Sequence, residues 1–322
     1  MNRRKFISTS VKLVAGAAIG SMIPGCDDPR ALYNCIKKDQ ETGMLTGNYC
    51  LPLTNGKTWS NHQSTGISGM SPRVIKDGKI YKMWYTDNTV PVLNIYYRTS
   101  YDGLNWSSPT IAITNSVTSV AEDDNQLYNP SVIKLNGRYL MWYQGQDAGT
   151  QQNLIYCQST DGINWTSYQA PIGTISIPSI TYTGESAPVV IYVNGKYLAW
   201  FIAESYLASN IIYMDSPDGV NWSNFQISIP IGFQGIYDNT SVLGCAVILD
   251  GDIYKMWYNG FDGFRWRILY AESKNGKNWY NPQLSIDSAT DITRLSLINE
   301  KGIAKGWYYD TGSATIFYAE SR

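Results

Sequence analysis

Carboxylates dominate the residues of this chain whose types and positions suit chemistry. Asp87, Glu122, Asp123, Asp124, Asp147, Glu185, Glu204, Asp238, Asp262, Asp291 and Asp310 all fall in or beside segments that separate strand-length apolar runs. Paired carboxyls, one protonated and one ionised, are the equipment of general acid–base catalysis. For any single acid the plainer role is a solvated loop or a turn that caps its own backbone. Non-repeating aromatics, namely Tyr128, Tyr206, Tyr237, Phe261, Phe264 and Trp266, could stack on the apolar faces of sugar rings. Arg267 and Arg294 could bind a carboxylate or a hydroxyl-rich ring bidentately. The one histidine is His62 and the five cysteines show no paired ligand spacing, so no metal site is expected. No cofactor is implied, and a structural calcium has no specific support.

The elements that must position these groups are written as a repeat. A first set of tryptophans, Trp84, Trp142, Trp200, Trp257 and Trp307, is spaced by 58, 58, 57 and 50 residues. A second set, Trp106, Trp165, Trp222 and Trp279, follows the first by 22, 23, 22 and 22 residues. Each unit holds about four strand-length runs, and five such units predict an all-β fold, a five-bladed β-propeller over residues 54–322. Turns at Asp77-Gly78, Asn136-Gly137, Asn194-Gly195 and Asp250-Gly251 carry the type I′ hairpin signal between strands one and two of their units. Asp102-Gly103, Asp161-Gly162, Asp218-Gly219 and Asn275-Gly276 join strands three and four. The fifth unit ends at Arg322 before its outer strand, whereas Asn55-Gly56-Lys57-Thr58-Trp59 carries the missing signature. An N-terminal strand is therefore expected to complete the last blade and close the ring, with residues 57–60 pairing near Ile316–Ala319.

Strand parity sorts the loops. The Gly hairpins fall on one face, here face B, and the longer loops that hold the acids fall on the other, face A, where a rigid scaffold can build a site. Nearest the axis should lie the residues that precede each first strand: Met70 and Ser71, Tyr128 and Asn129, Glu185 to Ala187, Asp238 to Gly244, and Asp291 to Arg294.

The pattern Pro-x-Val-Ile, Gly-x-Tyr-x-Met-Trp-Tyr and Ile-x-Tyr-Ala-x-Ser-x-Asp-Gly-x-x-Trp resembles the five-bladed propeller superfamily of glycosidases, including glycoside hydrolase families 43, 32 and 130. The family 43 resemblance implies three acids at the funnel: a base before the proline of blade one, an orienting Asp on blade two and a general-acid Glu on blade three. Here the first two positions are Ser71 before Pro72 and Asn129 before Pro130, neither of which can serve as a carboxylate. Blade three keeps Glu185, in Glu185-Ser186-Ala187-Pro188, one residue farther from the proline than Glu-x-Pro. Glu185, with Asp124 or Asp238 as replacement partner, is the expected catalytic set. Ser71, Tyr128, Asn129, Asp262, Trp266, Arg267 and Arg294 are the expected substrate-binding set. The Ser-x-Asp-Gly-x-x-Trp segments are similar to the Asp-boxes of sialidases, which implies structural roles for Asp102, Asp161 and Asp218. Three function classes stay open: a glycosidase-like propeller, hydrolase or phosphorylase, acting on carbohydrate; a non-catalytic surface propeller that binds glycan or protein; and a structural lipoprotein in an envelope assembly.

The first residues point elsewhere in the cell. Arg3-Arg4 precedes an apolar run from Val11 to Ile23 that is too short to span a bilayer, for which about 20 residues are needed. Ile23-Pro24-Gly25-Cys26 resembles a lipobox. Residues 1–26 thus read as a twin-arginine export signal with Cys26 as the lipidated residue, and 27–53 as a linker in which Cys35 and Cys50 could pair. An exported envelope or secreted monomer is expected, touching membrane only through the anchor. Without residues 1–25 the net charge is about −5, which argues against nucleic acid as partner.

Overall fold

Runs rich in Tyr, Trp, Ile and Val that end in Gly turns suit half-buried pleated strands. The computed structural model describes residues 53, 56–115, 123–149, 152–169, 184–204 and 209–322, with backbone alone at 184–186 and 204. The strands form five four-stranded antiparallel sheets. Outermost in the last blade is β1 (Ser60–Ser68). Blade one holds β2 (Met70–Asp77), β3 (Ile80–Thr86), β4 (Ile95–Ser100) and β5 (Thr110–Ile113). Blade two follows with β6 (Gln126–Leu135), β7 (Arg138–Gln146), β8 (Gln152–Ser159) and β9 (Trp165–Gln169). Blade three has β10 (Gly184–Val193), β11 (Lys196–Glu204), β12 (Ser209–Ser216) and β13 (Ser223–Ile229). Blade four has β14 (Ser241–Asp250), β15 (Ile253–Phe261), β16 (Trp266–Ser273) and β17 (Trp279–Ile286). Blade five is β18 (Ile292–Glu300), β19 (Ile303–Asp310) and β20 (Thr315–Ser321), completed by β1.

The ring is closed as the repeat predicts, with one displacement. β1 pairs β20 from Ser60↔Glu320 to Ser68↔Thr315, so the strand begins where the expected segment ends. Residues 56–58 form the turn instead, because Gly56 takes the place that Gly103, Gly162, Gly219 and Gly276 hold in the other blades. Leu53, assigned by sequence to the linker, is buried beside Trp257, and its N–H is donated to Asp250 at 3.1 Å.

One contact joins every blade to the next. The indole Nε1 of Trp84 donates to the carbonyl of Gly162 at 2.7 Å, Trp142 to Gly219 at 2.8 Å and Trp200 to Gly276 at 2.9 Å. Trp257 donates to Gly56 at 2.6 Å and Trp307 to Gly103 at 2.8 Å, which brings the series back to blade one. All five indoles are fully buried. A buried indole N–H needs an acceptor, and Gly is required because the ring lies against its Cα. Ser-Asp turns hold Gly103, Gly162 and Gly219 in place, and a Ser-Asn turn, Ser273 with Asn275, holds Gly276. Ser100 accepts the Gly103 N–H at 2.9 Å, while Asp102 accepts those of Leu104 and Asn105, each at 2.8 Å. The same bonds recur at Asp161 and Asp218. These donors, with the Asn105 side chain foremost, hold the Asp102 carboxyl well below the usual range. The structural reading of the three aspartates is borne out.

The first hairpins divide by chemistry. Asn136-Gly137 and Asn194-Gly195 have positive φ at both residues, as type I′ requires, but at Asp77-Gly78 and Asp250-Gly251 only the glycine does, which is the type II′ pattern. Asp77 and Asp250 therefore close their strands rather than lead their turns, and each binds lysine. Asp77 accepts from Lys134 at 2.7 Å and from Tyr139 across the blade boundary. Glu300 accepts from Lys76, Tyr81 and Lys305 at the boundary of blades five and one. Burial pushes both carboxyls up, but these donors outweigh it and bring each to about 2.

Two outcomes follow for stability. Ala at Gly162, whose Cβ would stand 2.8 Å from Trp84 Cζ2, should cost about 3 kcal/mol in urea unfolding. Ala at Gly137, where nothing lies within 4 Å, should cost about 1 kcal/mol for its positive φ alone. Asp77 and Glu300 have folded pKa values below their ordinary ones. Their stabilisation is present above the ordinary carboxylate range and lost as pH falls through about 4 toward about 2. A denaturation midpoint that does not fall over that window would contradict the assignment.

Candidate functional site

Each innermost strand breaks its pairing at the same point. Register shifts lie between Met70 and Arg73, Tyr128 and Ser131, Ser186 and Val189, Leu243 and Cys245, and Thr293 and Ser296. A bulge re-aims side chains and often marks a site. Here it puts non-glycine residues into the left-handed region at Ser71 (φ 53°), Asn129 (50°), Ala187 (49°) and Arg294 (58°). Gly244 is the blade-four counterpart by position, without the positive φ. Five repeated register breaks, three of them at residues that disfavour the positive φ they adopt (Ser71, Ala187 and Arg294), are held by the whole ring.

These residues converge on the axis, where with their neighbours they line a cavity of about 40 Å³. Ser71 donates to Asn129 Oδ1 at 2.6 Å, Asn129 Nδ2 donates to Gln144 at 2.5 Å, and the Asn129 backbone N–H donates to Thr86 at 3.2 Å. Arg294, from blade five, donates to both Ser71 (3.0 Å) and Asn129. Its backbone N–H donates to Asn259 Oδ1 at 2.9 Å, and the Asn259 amide in turn donates to the Ile292 and Arg267 carbonyls. Ser71, Asn129 and Arg294 from the expected binding set are therefore brought together in one bonded cluster. A hydroxyl, an amide and a guanidinium occupy the mouth of the axis.

The remaining residues of that set are dispersed over face A. Tyr128 is half-buried, with its hydroxyl donated to Gln146 at 3.3 Å. Asp262 caps its own loop, accepting the Phe264 and Arg265 N–H groups at 2.9 Å, and pairs with Arg267 at 2.6 Å. Burial raises its carboxyl, but those three donors bring it down to about 2. Arg267 is buried, pairs also with Asp287 at 3.0 Å and lies over the Tyr237 ring at 4.8 Å. Trp266 stacks on Phe261 with centroids 4.9 Å apart, and its N–H is donated to Asp291 at 2.9 Å. The loop is pinned on three sides while its tip, Phe264, is 91% exposed.

The acids divide sharply. Asp238 is fully buried and accepts from the Gln234 N–H (2.8 Å), the Gly235 N–H (2.9 Å) and the Tyr258 hydroxyl (2.9 Å). Asp123 is the blade-two counterpart, buried against the Tyr143 hydroxyl. Asp87, Asp291 and Asp310 likewise accept donors from neighbouring loop segments. Asp124 is exposed. Glu185 lies on β10 opposite Ala203, two residues before Ala187 on the bulge that faces the axis; its side chain is outside the described residues, as are Glu122, Cys26, Cys35 and Cys50. Sequence reasoning missed Arg73, Gln144 and Asn259, the groups that build the axial cluster from behind. The signal for them is repeat position: Arg73 stands two residues after Ser71, as Ser131 stands two after Asn129.

The family model described as beta-1,4-mannooligosaccharide phosphorylase, glycoside hydrolase family 130, matches residues 72–244, more than half of the chain. The chain belongs to this family. An uncharacterised protein of Mycobacterium tuberculosis is 31% identical over 184 residues, which are 53% of this chain and 59% of that protein. The chain thus spans less than two thirds of the length of that curated relative. Among solved structures, a thermostable family-43 glycoside hydrolase superposes with a TM-score of 0.63 at 15% identity, over 81% of this chain and 91% of that one. A beta-1,2-mannobiose phosphorylase from Listeria innocua gives 0.61 at 11% identity, over 82% and 91%. A family-117 hydrolase from Zobellia galactanivorans gives 0.63 at 14% identity, over 83% and 91%. At these identities the likeness is one of fold.

The family-130 axis of this chain makes a stability prediction. Asn129→Ala strips acceptors from Ser71 and Arg294, leaves Gln144 without its donor and places Ala at a φ of 50°. It should destabilise the fold by about 3 kcal/mol in urea unfolding, whereas Asn129→Asp, which keeps the acceptor for Arg294, should cost less than about half of that.

Proposed function

We propose that the chain cleaves a mannose-containing oligosaccharide by phosphorolysis in the face-A funnel, with the terminal sugar above the Ser71–Asn129–Arg294 cluster. That cluster carries the reading. Hydrolysis by inversion needs a carboxylate base to activate water, and the two positions where family 43-like enzymes would hold carboxylates are here a hydroxyl and an amide bonded to a guanidinium. Inorganic phosphate is already an anionic nucleophile. It needs a cation and donors to hold it, and the Arg294 guanidinium is of both kinds. A single acid then suffices, and Glu185 is our assignment for it. A phosphate oxygen bonds to the anomeric carbon, the glycosidic C–O bond breaks, and the acid's proton goes to the leaving oxygen, giving a sugar 1-phosphate and a shortened saccharide. The pinned stack of Phe261 and Trp266, with the exposed Phe264, suits the apolar faces of sugar rings farther along the chain. The partners proposed are carbohydrate and phosphate.

A second reading is favoured by Arg3-Arg4 and Cys26. Export as a lipid-anchored protein would release a sugar phosphate outside the cytoplasm, which suits a propeller that only captures glycan through the same funnel. Fractionation of cells expressing the full chain, with and without Cys26→Ala, tests the anchor. Loss of membrane association in that variant is expected.

Activity separates the readings. Purified protein given β-mannooligosaccharides should release sugar 1-phosphate only when phosphate is added, and Glu185→Gln should lower kcat at least about 100-fold with KM little changed. Phosphate-independent release of free sugar would replace phosphorolysis by hydrolysis. Glycan binding without turnover in the unaltered protein would establish the second reading.

A further inference from the structure

Beneath the Ser71–Asn129–Arg294 cluster the same bulged strands present a second layer: Arg73, Ser131, Val189, Cys245 and Ser296, all lining the axial cavity. Arg73 donates from Nε to the Val132 carbonyl at 3.1 Å. That is one of the five donors a guanidinium carries. No carboxylate among the described residues pairs with it. Burial draws the guanidinium down to about 10, which leaves it charged at neutral pH. The serines add to the imbalance. Ser131 Oγ accepts the Val190 N–H and Ser296 Oγ accepts the Val74 N–H, both at 2.9 Å and both across blade boundaries. One lone pair of each is thereby used, while no acceptor among the described residues takes its hydroxyl proton. Both side chains are almost wholly buried, at 1% and 2% exposure.

Arg73 is half-buried, and a cation so placed with no counter-charge among the described residues is costly. A space on the axis lined by these donors and the Arg73 charge, about 40 Å³ in volume, fits a monatomic anion better than a tetrahedral oxyanion with its hydration. We propose that the propeller axis holds one halide-sized anion, bound by Arg73 and the hydroxyls of Ser131 and Ser296. The site does not depend on the reading of the funnel above it. Its consequence is structural: the anion ties blades one, two and five together at the point where their bulges meet.

Thermal unfolding of the full chain in sodium chloride and in sodium gluconate of equal ionic strength tests the site. Chloride in hundredfold excess over its dissociation constant should raise Tm by about 4 °C, and Arg73→Gln should abolish the difference between the salts. Crystals of the unaltered protein grown in sodium bromide should show an anomalous peak on the axis within hydrogen-bonding distance of Arg73, a readout that survives even if the variant fails to fold. Equal Tm values in the two salts with no bromide peak would overturn the proposal. A response to phosphate or sulfate without one to halides would overturn the size assignment and the proposal with it.

Discussion

The fold depends on one hydrogen bond made five times, from a buried indole N–H to the carbonyl of a glycine in the next blade. An unmade bond at any of these sites would strand a buried donor at a cost of about 1–3 kcal/mol, but the greater constraint is steric. At Gly56, Gly103, Gly162 and Gly219 a Cβ would lie within 3 Å of the tryptophan ring, and at Gly276 it would stand 3.1 Å away. The turn must therefore bring a bare Cα to the ring, and the Ser-Asp side chains, or Ser-Asn at Gly276, fix the turn that does so. Blade five has no Ser-Asp turn of its own to offer. It borrows Gly56 from the N-terminal segment, so closure of the ring and seating of Trp257 are one event.

The rigidity so obtained is spent at the axis. Five inner strands each insert a bulge at the same height, and a backbone that holds Ser71, Ala187 and Arg294 at positive φ has to be supported from outside those residues. Support comes from neighbouring blades: Asn259 holds Arg294, Gln144 and Thr86 hold Asn129, and Ser296 and Ser131 accept N–H groups of the adjoining inner strands. The axial groups are thus positioned by the ring as a whole rather than by any one loop.

The architecture was legible because it is periodic. Tryptophan spacing, Gly turns and strand parity each repeat, and repetition averages out local ambiguity. Even the closing strand could be read, since Gly56 and Trp59 fill a gap in a known pattern; its start at Ser60 could not, because turn and strand share the same residue types. The site was legible only where it follows the repeat. Ser71, Asn129 and Arg294, expected just before their inner strands, lie within them at the bulges and meet near the axis. The acids did not yield to the same reasoning. Asp238 and Asp123 look in sequence like available carboxylates, and only the fold reveals that each accepts from a tyrosine twenty residues on. Loop acids near a site are drawn toward unpaired backbone N–H groups, and composition cannot separate the two uses.

That division bears on what the axis can do. Asp87, Asp238, Asp262, Asp291 and Asp310 ring face A, yet each is occupied with donors of its own or a neighbouring loop. What the cavity itself presents is Arg73, Arg294, three serine hydroxyls and a thiol. Burial drives the Cys245 thiol well above its ordinary range, so it adds no thiolate to offset the arginines. Those two guanidinium groups are the charged groups that the described lining presents. At kinks where the family 43 resemblance implies carboxylates, this propeller carries the hydroxyl of Ser71 and the amide of Asn129, both bonded to Arg294.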